Sequence, residues 1–249
     1  MRNICISDVH GNFDAMMKAL KDVFYDPESG NDLIILGGDG FGRADNSADL
    51  GGSRRVYEYM TSPIHKNKPI YIFGNHEDIL RNILKKRMIS YLDIQNGELN
   101  TILSLSNMTN IGYLDPEMTE AIDRVRDLGI LEWINSLPPY YETKTHIITH
   151  GWLINDILPS SPYNNFVDAS WAHTINAIRN YILSGEKFHK TIVFGHWGTN
   201  AIREIWPDGK EINDNIDLYE NSEYGLVGLD ACTVISHRVN TYVFEDEKE

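Results

Sequence analysis

Short polar clusters follow apolar segments at five places in the chain, and each cluster carries residue types that bind metal ions. Together they supply carboxylate and amide oxygens and imidazole nitrogens, a donor set suited to two divalent ions rather than to a soft thiolate site. Two such ions side by side can activate a water molecule for attack on phosphorus. The five clusters are Asp8-Val9-His10, Gly38-Asp39, Gly74-Asn75-His76-Glu77, His150-Gly151 and Gly195-His196.

Each cluster taken alone also has an ordinary structural explanation. Asp39 suits a turn, and a lone histidine such as His150 is more often a satisfied core or surface residue. If strand geometry continued beyond residue 7, Asp8 and His10 would point to one side of the sheet and could bind one ion. The metal chemistry is therefore predicted from the five clusters as a set.

The apolar segments before the first three clusters predict an α/β fold. Residues 2–7, 33–36 and 70–73 have the composition of buried strands, and residues 13–24 and 53–61 carry apolar side chains at helical spacing. The order strand, helix, strand, helix, strand is typical of a parallel sheet, in which ligands bind beyond the carboxyl ends of the strands. We expect the first three clusters to lie at this edge.

The remaining sequence is consistent with one domain spanning residues 1–249. Residues 77–136 are mostly helical in pattern, with a polar, asparagine-rich break around 95–112, and could form a cap over the site. The other predicted elements are strands within 140–149, 191–194, 201–206, 224–229 and 239–244 and a helix at 168–183.

The composition indicates a globular protein with an acidic surface. Hydrophobic residues make up 42% and charged residues 23%, which separates the chain from disordered sequences, and the formal net charge is −14. A surface of this sign repels phosphate backbones, so nucleic-acid binding is not expected. Two cysteines, Cys5 and Cys232, do not indicate a disulfide framework, and no signal peptide or membrane-spanning segment is expected. A cytoplasmic location without a membrane partner is the resulting expectation.

The order and approximate spacing of the five clusters resemble the signature of the calcineurin-like metallophosphoesterases over nearly the whole chain. Further details resemble the phosphoprotein phosphatase branch, which includes phage lambda-type serine/threonine phosphatases and symmetrical diadenosine tetraphosphate hydrolases. These details are Gly74-Asn75-His76-Glu77, Gly195-His196-Trp197 without a second histidine two positions on, and the closing motif Leu229-Asp230-Ala231-Cys232. The resemblance implies a four-layer αββα sandwich, in which two mixed β-sheets flanked by helices place a dinuclear metal site at the C-terminal ends of strands.

The resemblance also implies a ligand set for two divalent metal ions. Asp8 and His10 would bind the first ion and Asn75, with two histidines, the second, while Asp39 would bridge both. Mn²⁺ or iron is expected, with Zn²⁺ as the alternative. The six implied ligands are Asp8, His10, Asp39, Asn75, His150 and His196.

Catalytic roles follow from the same resemblance. A water molecule between the ions would attack phosphorus in line, so that no covalent phosphoenzyme forms. His76 would protonate the leaving oxygen, and the planar guanidinium of Arg43 would bind phosphate oxygens. Asn75 and His173 are expected to add contacts to the substrate.

The sequence departs from the family pattern at two positions. Gly42 stands where the family carries an aspartate that supports the catalytic histidine, and Asp45 and Glu77 are the candidates to compensate. His173 stands where the branch usually carries an arginine, for which Arg179 is a second candidate. These departures bear on efficiency and substrate choice more than on metal binding, because all six ligand types are present.

Three functions remain in competition. The leading hypothesis is a phosphomonoesterase that acts on phosphoserine or phosphothreonine in proteins, for which a broad, shallow groove is expected. The enzymatic alternative is a hydrolase of diadenosine tetraphosphate or a related pyrophosphate, for which a deeper pocket with base-stacking aromatic residues is expected. The third hypothesis, motivated by Gly42 and His173, is a catalytically weakened binding or regulatory module.

Overall fold

Nine strands and eleven helices lie in the part of the chain that the computed structural model describes, which is residues 1–42, 51–109, 111–112, 114–203 and 215–246. The strands are β1 (Arg2–Ile6), β2 (Asp32–Leu36), β3 (Ile70–Tyr71), β4 (Tyr140–Glu142), β5 (His146–Thr149), β6 (Thr191–Phe194), β7 (Tyr219–Asn221), β8 (Leu226–Gly228) and β9 (Tyr242–Glu245). The helices are α1 (Phe13–Asp22), α2 (Gly52–Met60), α3 (Asn75–Lys86), α4 (Tyr91–Gln95), α5 (Glu98–Ser106), α6 (Glu117–Asp127), α7 (Ile130–Asn135), α8 (Phe166–Ser170), α9 (Thr174–Ser184), α10 (Thr199–Arg203) and α11 (Thr233–Ser236).

The strands form two mixed sheets, with the orders β3-β2-β1-β9 and β4-β5-β6-β8-β7. In the first sheet β1, β2 and β3 are parallel, and β9 pairs antiparallel with β1. In the second sheet β5, β6 and β8 are parallel, and β4 and β7 pair antiparallel with them at the two edges. The predicted α/β class, with two mixed sheets flanked by helices, is confirmed.

Alternation along the central strands explains why the sheets stack. Ile4 and Ile34 point outward into an apolar layer shared with α1 and α2, whereas Cys5 and Ile35 point inward. The inward layer also contains Val193 of the second sheet, so it is the core between the two sheets. Because side chains of a strand alternate with period two, one strand supplies both layers. The stacking brings the carboxyl ends of the parallel strands of both sheets to one edge.

The range 77–136, predicted to be mostly helical, contains most of α3 and all of α4 to α7, and these helices pack around an apolar cluster of their own. Phe41 and Phe73, which follow β2 and β3, belong to the same cluster and join these helices to the first sheet. The predicted polar break around 95–112 is wrong in its first half, since α5 begins at Glu98 and its residues from Thr101 to Ser106 are buried. This helix therefore lies against the loops that end the first sheet.

Two other predictions of local structure are wrong. Residues 201–203 of the strand predicted at 201–206 are helical, because α10 covers Thr199–Arg203 and buries Ile202 against the second sheet, and the remainder of that predicted strand lies outside the described residues. A segment this short fits either the strand or the helix period, so periodicity could not decide its structure. The predicted helix at 168–183 is two helices, α8 and α9, with a break at Trp171 to His173. Among the described helices, none has the length and apolarity needed to cross a bilayer.

Candidate metal centre

The five polar clusters meet at the edge where the parallel strands of both sheets end. Every member that was predicted as a ligand is buried, except that His196 is half-buried. Parallel strands end at a common edge, so clusters that are far apart in the sequence become neighbours. The predicted residues lie in the loops after β1 (Asp8, His10), β2 (Asp39), β5 (His150) and β6 (His196), and at the start of α3 (Asn75, His76).

Four residues of the site have a left-handed backbone. The φ angles are 54° at Asp8, 48° at His10, 52° at Asp39 and 69° at His196. A non-glycine residue loses about 1–2 kcal/mol in this region, and such strain concentrates at functional sites. Strand geometry does not continue through Asp8 and His10, since β1 ends at Ile6. The two side chains still converge, with His10 Nε2 4.0 Å from Asp8 Oδ1.

Asp39 lies at the centre of the site. Its carboxylate belongs to two groups of metal-ligand atoms, and within each group all the atoms lie within 4.8 Å of one another. Its amide N–H donates to Glu77 Oε2 at 2.9 Å, which fixes the loop that carries it. The two groups combine Asp39 with His10 and His76, and with His150 and His196. The first group thus contains His76, which was predicted as an acid, in place of Asp8.

Asp8 follows β1 of the first sheet and also contacts the loop after β6 of the second sheet. Both of its carboxylate oxygens accept the backbone N–H of His196 at 3.0 Å, across 188 residues of sequence. This contact joins the loops after β1 and β6 and orients the His196 backbone. On the same side of the site, the Nδ1 of His10 donates to the Phe41 carbonyl oxygen at 3.1 Å, which leaves Nε2 to face the site.

The surroundings of His150 indicate a cation. Its Nδ1 donates to the Gly37 carbonyl oxygen at 2.8 Å, so the ring would present a lone pair at Nε2 once that nitrogen is deprotonated, as a metal ligand must be. That nitrogen lies 2.9 Å from Asn75 Oδ1 and 3.3 Å from Asp39 Oδ1, both of which are also acceptors. Burial lowers the pKa of His150, but Asp39 and Asp8 outweigh it and raise it to about 10, so a proton lies on Nε2 when no ion is bound. A divalent ion would take the place of this proton among the three atoms, and the donor set therefore fits the metals that the sequence implies.

Buried negative charge supports the same interpretation. Burial, Asp230 and Asp39 raise the pKa of Asp8 well above its usual range, although His150 opposes them. Burial and Asp39 raise the pKa of Glu77 to about 7. At Asp39 burial acts in the same direction, but His150 and His76 outweigh it and hold the pKa well below its usual range. Carboxylates this close in a low-dielectric interior require compensating positive charge.

Glu98, which belongs to none of the five polar clusters, contacts the ring of His76. The Nδ1 of His76 donates to Glu98 Oε1 at 2.8 Å, and both side chains are almost completely buried. Burial lowers the pKa of His76, but Asp39 and Glu98 outweigh burial and raise it. No sequence signal could have identified the pair, because 22 residues separate them and α5 was not expected at Glu98.

Glu77, one of the two candidates to compensate for the missing aspartate, acts on His76 through its charge, which helps to raise the pKa of that ring, while its carboxylate oxygens accept hydrogen bonds from other groups. Glu77 accepts the Tyr71 hydroxyl at 2.7 Å through Oε1 and the amides of Asp39 and Gly74 through Oε2. These contacts use both carboxylate oxygens to shape the loops after β2 and β3. The other candidate, Asp45, lies outside the described residues.

Gly42 lies so close to His76 that no side chain fits there. Its φ is +73°, and a Cβ at this position would overlap the Nδ1 atom of His76. Gly129 has nearly the same φ, +74°, but nothing lies within 4 Å of a Cβ there, so it is a matched control. We expect Gly129→Ala to lower the free energy of unfolding by about 1 kcal/mol and Gly42→Ala by more than about 2 kcal/mol. Urea unfolding of the two variants measures the difference, and equal costs would contradict the overlap.

A cavity of about 270 Å³ opens beside the site. Its other wall comes from the segment after β8, including Asp230, Cys232 and α11, whose Ile235 is 84% exposed. Trp197 lines the cavity, whereas Trp152 is part of the core of the second sheet. The predicted site residues on its wall are His10, Asp39, Asn75, His76 and His196.

Of the three residues predicted to contact the substrate, two lie in the described part of the chain. Asn75 lines the cavity, and its Oδ1 lies against His150. His173 is exposed, and its ring lies 4.5 Å from that of Trp197, between centroids, at an angle of 38°. Arg43 lies outside the described residues. Arg179 is exposed on α9.

Comparison with known proteins gives a family and a fold. The family model for calcineurin-like phosphoesterases matches residues 1–200. A solved structure named as a candidate diadenosine tetraphosphatase has a TM-score of 0.55 at 16% identity, covering 98% of this chain and 89% of that chain. A cold-active protein-tyrosine phosphatase of a psychrophilic Shewanella species has a TM-score of 0.54 at 12% identity, with coverages of 98% and 75%.

A third similar structure is a protein serine/threonine phosphatase from Saccharomyces cerevisiae with similarity to human phosphatase PP5. Its TM-score is 0.52 at 12% identity, covering 100% of this chain and 81% of that chain. No curated protein matches the sequence significantly. At identities this low, the solved structures support the fold and leave the substrate open.

Proposed function

Because the chain belongs to the calcineurin-like phosphoesterase family, we propose that it hydrolyses phosphomonoesters, and specifically phosphoserine and phosphothreonine in proteins. Membership makes the chain a metal-dependent phosphoester hydrolase, and the family resemblance predicted from the sequence is confirmed. The observation that carries the proposal is the position of Asp39, whose carboxylate is shared by two groups of metal-ligand atoms beside a cavity.

The six predicted ligands would hold two divalent ions, Mn²⁺ or iron with Zn²⁺ as the alternative, and Asp39 would lie between them. When bound, the ions lower the pKa of a water molecule and neutralise charge on the phosphoryl oxygens. The protein holds two of these ligand side chains in orientation by hydrogen bonds. His10 and His150 both donate Nδ1–H to backbone carbonyls and present Nε2 to the site. Asp8 accepts the backbone N–H of His196 and so holds the loop after β6 in place.

His76 would donate a proton to the leaving oxygen. It lines the cavity, and its Nδ1 already donates to Glu98, so Nε2 is the nitrogen that can serve the substrate. A positioned imidazole of this kind typically contributes about 10²–10⁴ in rate. Arg43 would bind phosphate oxygens through its planar fork, with Asn75 and His173 as further contacts.

The size and lining of the cavity favour a phosphorylated side chain over a dinucleotide. A volume of about 270 Å³ is at the low end of small-molecule sites, and two nucleosides joined by four phosphates need more room. Among the described lining residues other than histidine, Trp197 alone has an aromatic ring, whereas a symmetrical dinucleotide would call for two stacking sites. The exposed Ile235 at the rim suits contact with a polypeptide.

We expect kcat/KM for a phosphoserine peptide to exceed that for diadenosine tetraphosphate by at least about 30-fold, roughly 2 kcal/mol of transition-state stabilisation. Both substrates would be tested with Mn²⁺-loaded protein, with phosphate release as the readout for the peptide and nucleotide release for the dinucleotide. A preference for the dinucleotide would replace this proposal with the pyrophosphohydrolase alternative. Turnover of p-nitrophenyl phosphate serves as the reference for correctly loaded protein.

A further inference from the structure

We propose that Glu98 is the positioning residue for His76, supplied by α5 in place of the side chain that is missing at Gly42. The inference rests on the proposed function, in which His76 gives a proton to the leaving oxygen. Glu98 would hold the ring so that Nδ1–H stays on the carboxylate and Nε2 faces the cavity. The carboxylate itself is not among the residues that line the cavity, so it would act through His76.

The contact has the geometry of a functional carboxylate–imidazole pair. The distance from His76 Nδ1 to Glu98 Oε1 is 2.8 Å, and Glu98 is 0% exposed. In the described part of the chain, the second oxygen, Oε2, has no hydrogen-bond partner. A buried carboxylate that served packing alone would be expected to satisfy both oxygens, because an unsatisfied one is costly. The polar side chains beside the Glu98 carboxylate are the His76 ring, at hydrogen-bond distance from Oε1, and Thr101 of the same helix.

The first turn of α5 contacts both the His76 ring and the backbone of Gly42. Glu98 is its first residue, and Thr101, three positions later on the same face, accepts the Gly42 N–H at 3.0 Å through Oγ1. One helix face therefore supplies the partner of His76 and also fixes the loop where the family aspartate is absent. Burial of the following residues of α5 against its neighbours holds this face in place.

A side chain at position 42 and the Glu98 side chain could not both contact the observed His76 ring, for steric reasons. A Cβ at Gly42 would overlap the Nδ1 atom that Glu98 now contacts. An aspartate at position 42 and a glutamate at position 98 therefore could not both support this ring in its observed position. Glu98 of α5 would thus supply the carboxylate that the family resemblance leads one to expect in the loop after β2.

The test separates proton donation from other roles through the leaving group. Phenyl phosphate has a poor leaving group that needs an acid, whereas 2,4-dinitrophenyl phosphate has a good one that does not. In Mn²⁺-loaded protein, we expect Glu98→Gln to lower kcat about 100-fold for phenyl phosphate and less than about threefold for 2,4-dinitrophenyl phosphate. Glu98→Asp should recover part of the loss on phenyl phosphate. Ser104→Ala, which removes the hydrogen bond that this hydroxyl of α5 accepts from the Arg54 N–H at 3.0 Å, should leave the ratio of the two rates unchanged.

Several outcomes would overturn the proposal. Equal losses on both substrates would make Glu98 a structural residue. Loss of bound Mn²⁺ in Glu98→Gln, measured by elemental analysis, would make His76 a metal ligand held by Glu98. If wild-type protein fails to hydrolyse 2,4-dinitrophenyl phosphate, the proposed function itself is wrong, and this inference falls with it.

A measurement on wild-type protein covers the case in which the Glu98 variants do not fold. In ¹⁵N-labelled, Mg²⁺-loaded protein, we expect the His76 ring to carry an exchange-protected proton on Nδ1. A proton on Nε2 with a bare Nδ1 would be incompatible with the contact to Glu98 and would overturn the proposal.

Discussion

Replacement of Asp39 by asparagine is expected to lower kcat/KM for p-nitrophenyl phosphate by at least about 1,000-fold, or about 4 kcal/mol. Asparagine keeps the size of the side chain but removes the negative charge that both groups of ligand atoms share. Since Oδ1 makes the contacts with both His150 Nε2 and the His76 backbone N–H, an asparagine that keeps its oxygen there places its amide nitrogen at the Oδ2 position, 3.9 Å from His76 Nε2. The expected effect is therefore on the centre as a whole, and it is measured by steady-state kinetics at saturating Mn²⁺.

Asp32 offers a matched control, because it begins β2, the strand that leads into the loop of Asp39. It is buried at the start of β2 and forms an ion pair with Arg2 at 2.7 Å. Asp32→Asn makes the same chemical change away from the site, so it should lower stability while kcat/KM per folded molecule stays within about threefold of wild type. Comparable losses in both variants would mean that Asp39 acts through folding, and the metal centre would lose its main support.

Removal of divalent metal is expected to abolish turnover and to lower the stability of the fold. Asp8, Asp39 and Glu77 are buried within the same site, and bound cations would compensate their charge. A ligand that binds only the folded state at 100 times its Kd adds about 2.7 kcal/mol to the free energy of unfolding. Thermal unfolding after EDTA treatment, and again after Mn²⁺ is added back, measures this shift.

The same titration in Asp39→Asn tests where the metal acts. The Mn²⁺-dependent rise in Tm should be much smaller in Asp39→Asn than in Asp32→Asn. Equilibrium dialysis should give two ions per wild-type chain. If Mn²⁺, Fe²⁺ and Zn²⁺ all leave Tm unchanged, the donor set binds no ion at these concentrations, and the hydrolytic proposal cannot stand.

The hypothesis of a catalytically weakened module makes a different combination of predictions. Metal would still raise Tm, and Asp39→Asn would still remove this effect, but wild-type protein would turn over none of the tested substrates. The contact between Glu98 and His76 argues against this hypothesis, because it supplies the carboxylate whose absence at Gly42 motivated it. Metal-dependent turnover that disappears in Asp39→Asn would exclude it.

The sequence by itself determined the fold class and the composition of the site. Strands β1, β2 and β6 are short apolar segments whose bounds differ from the predicted ones by at most one residue at either end. Strand periodicity and the residues that follow each strand are local properties of the chain, and such properties can be predicted from the sequence. Parallel strands end at one edge, so residues that directly follow them could be expected to meet there.

The tertiary structure alone decided the geometry within that edge. The left-handed backbone at Asp8 and Asp39, the 188-residue contact from His196 to Asp8 and the approach of Glu98 to His76 follow no local pattern. Each depends on how the two sheets stack and on how α5 packs against the first sheet. Contacts between residues distant in the sequence form because burial of apolar surface fixes the elements relative to one another, and a single sequence does not encode those distances in any local period.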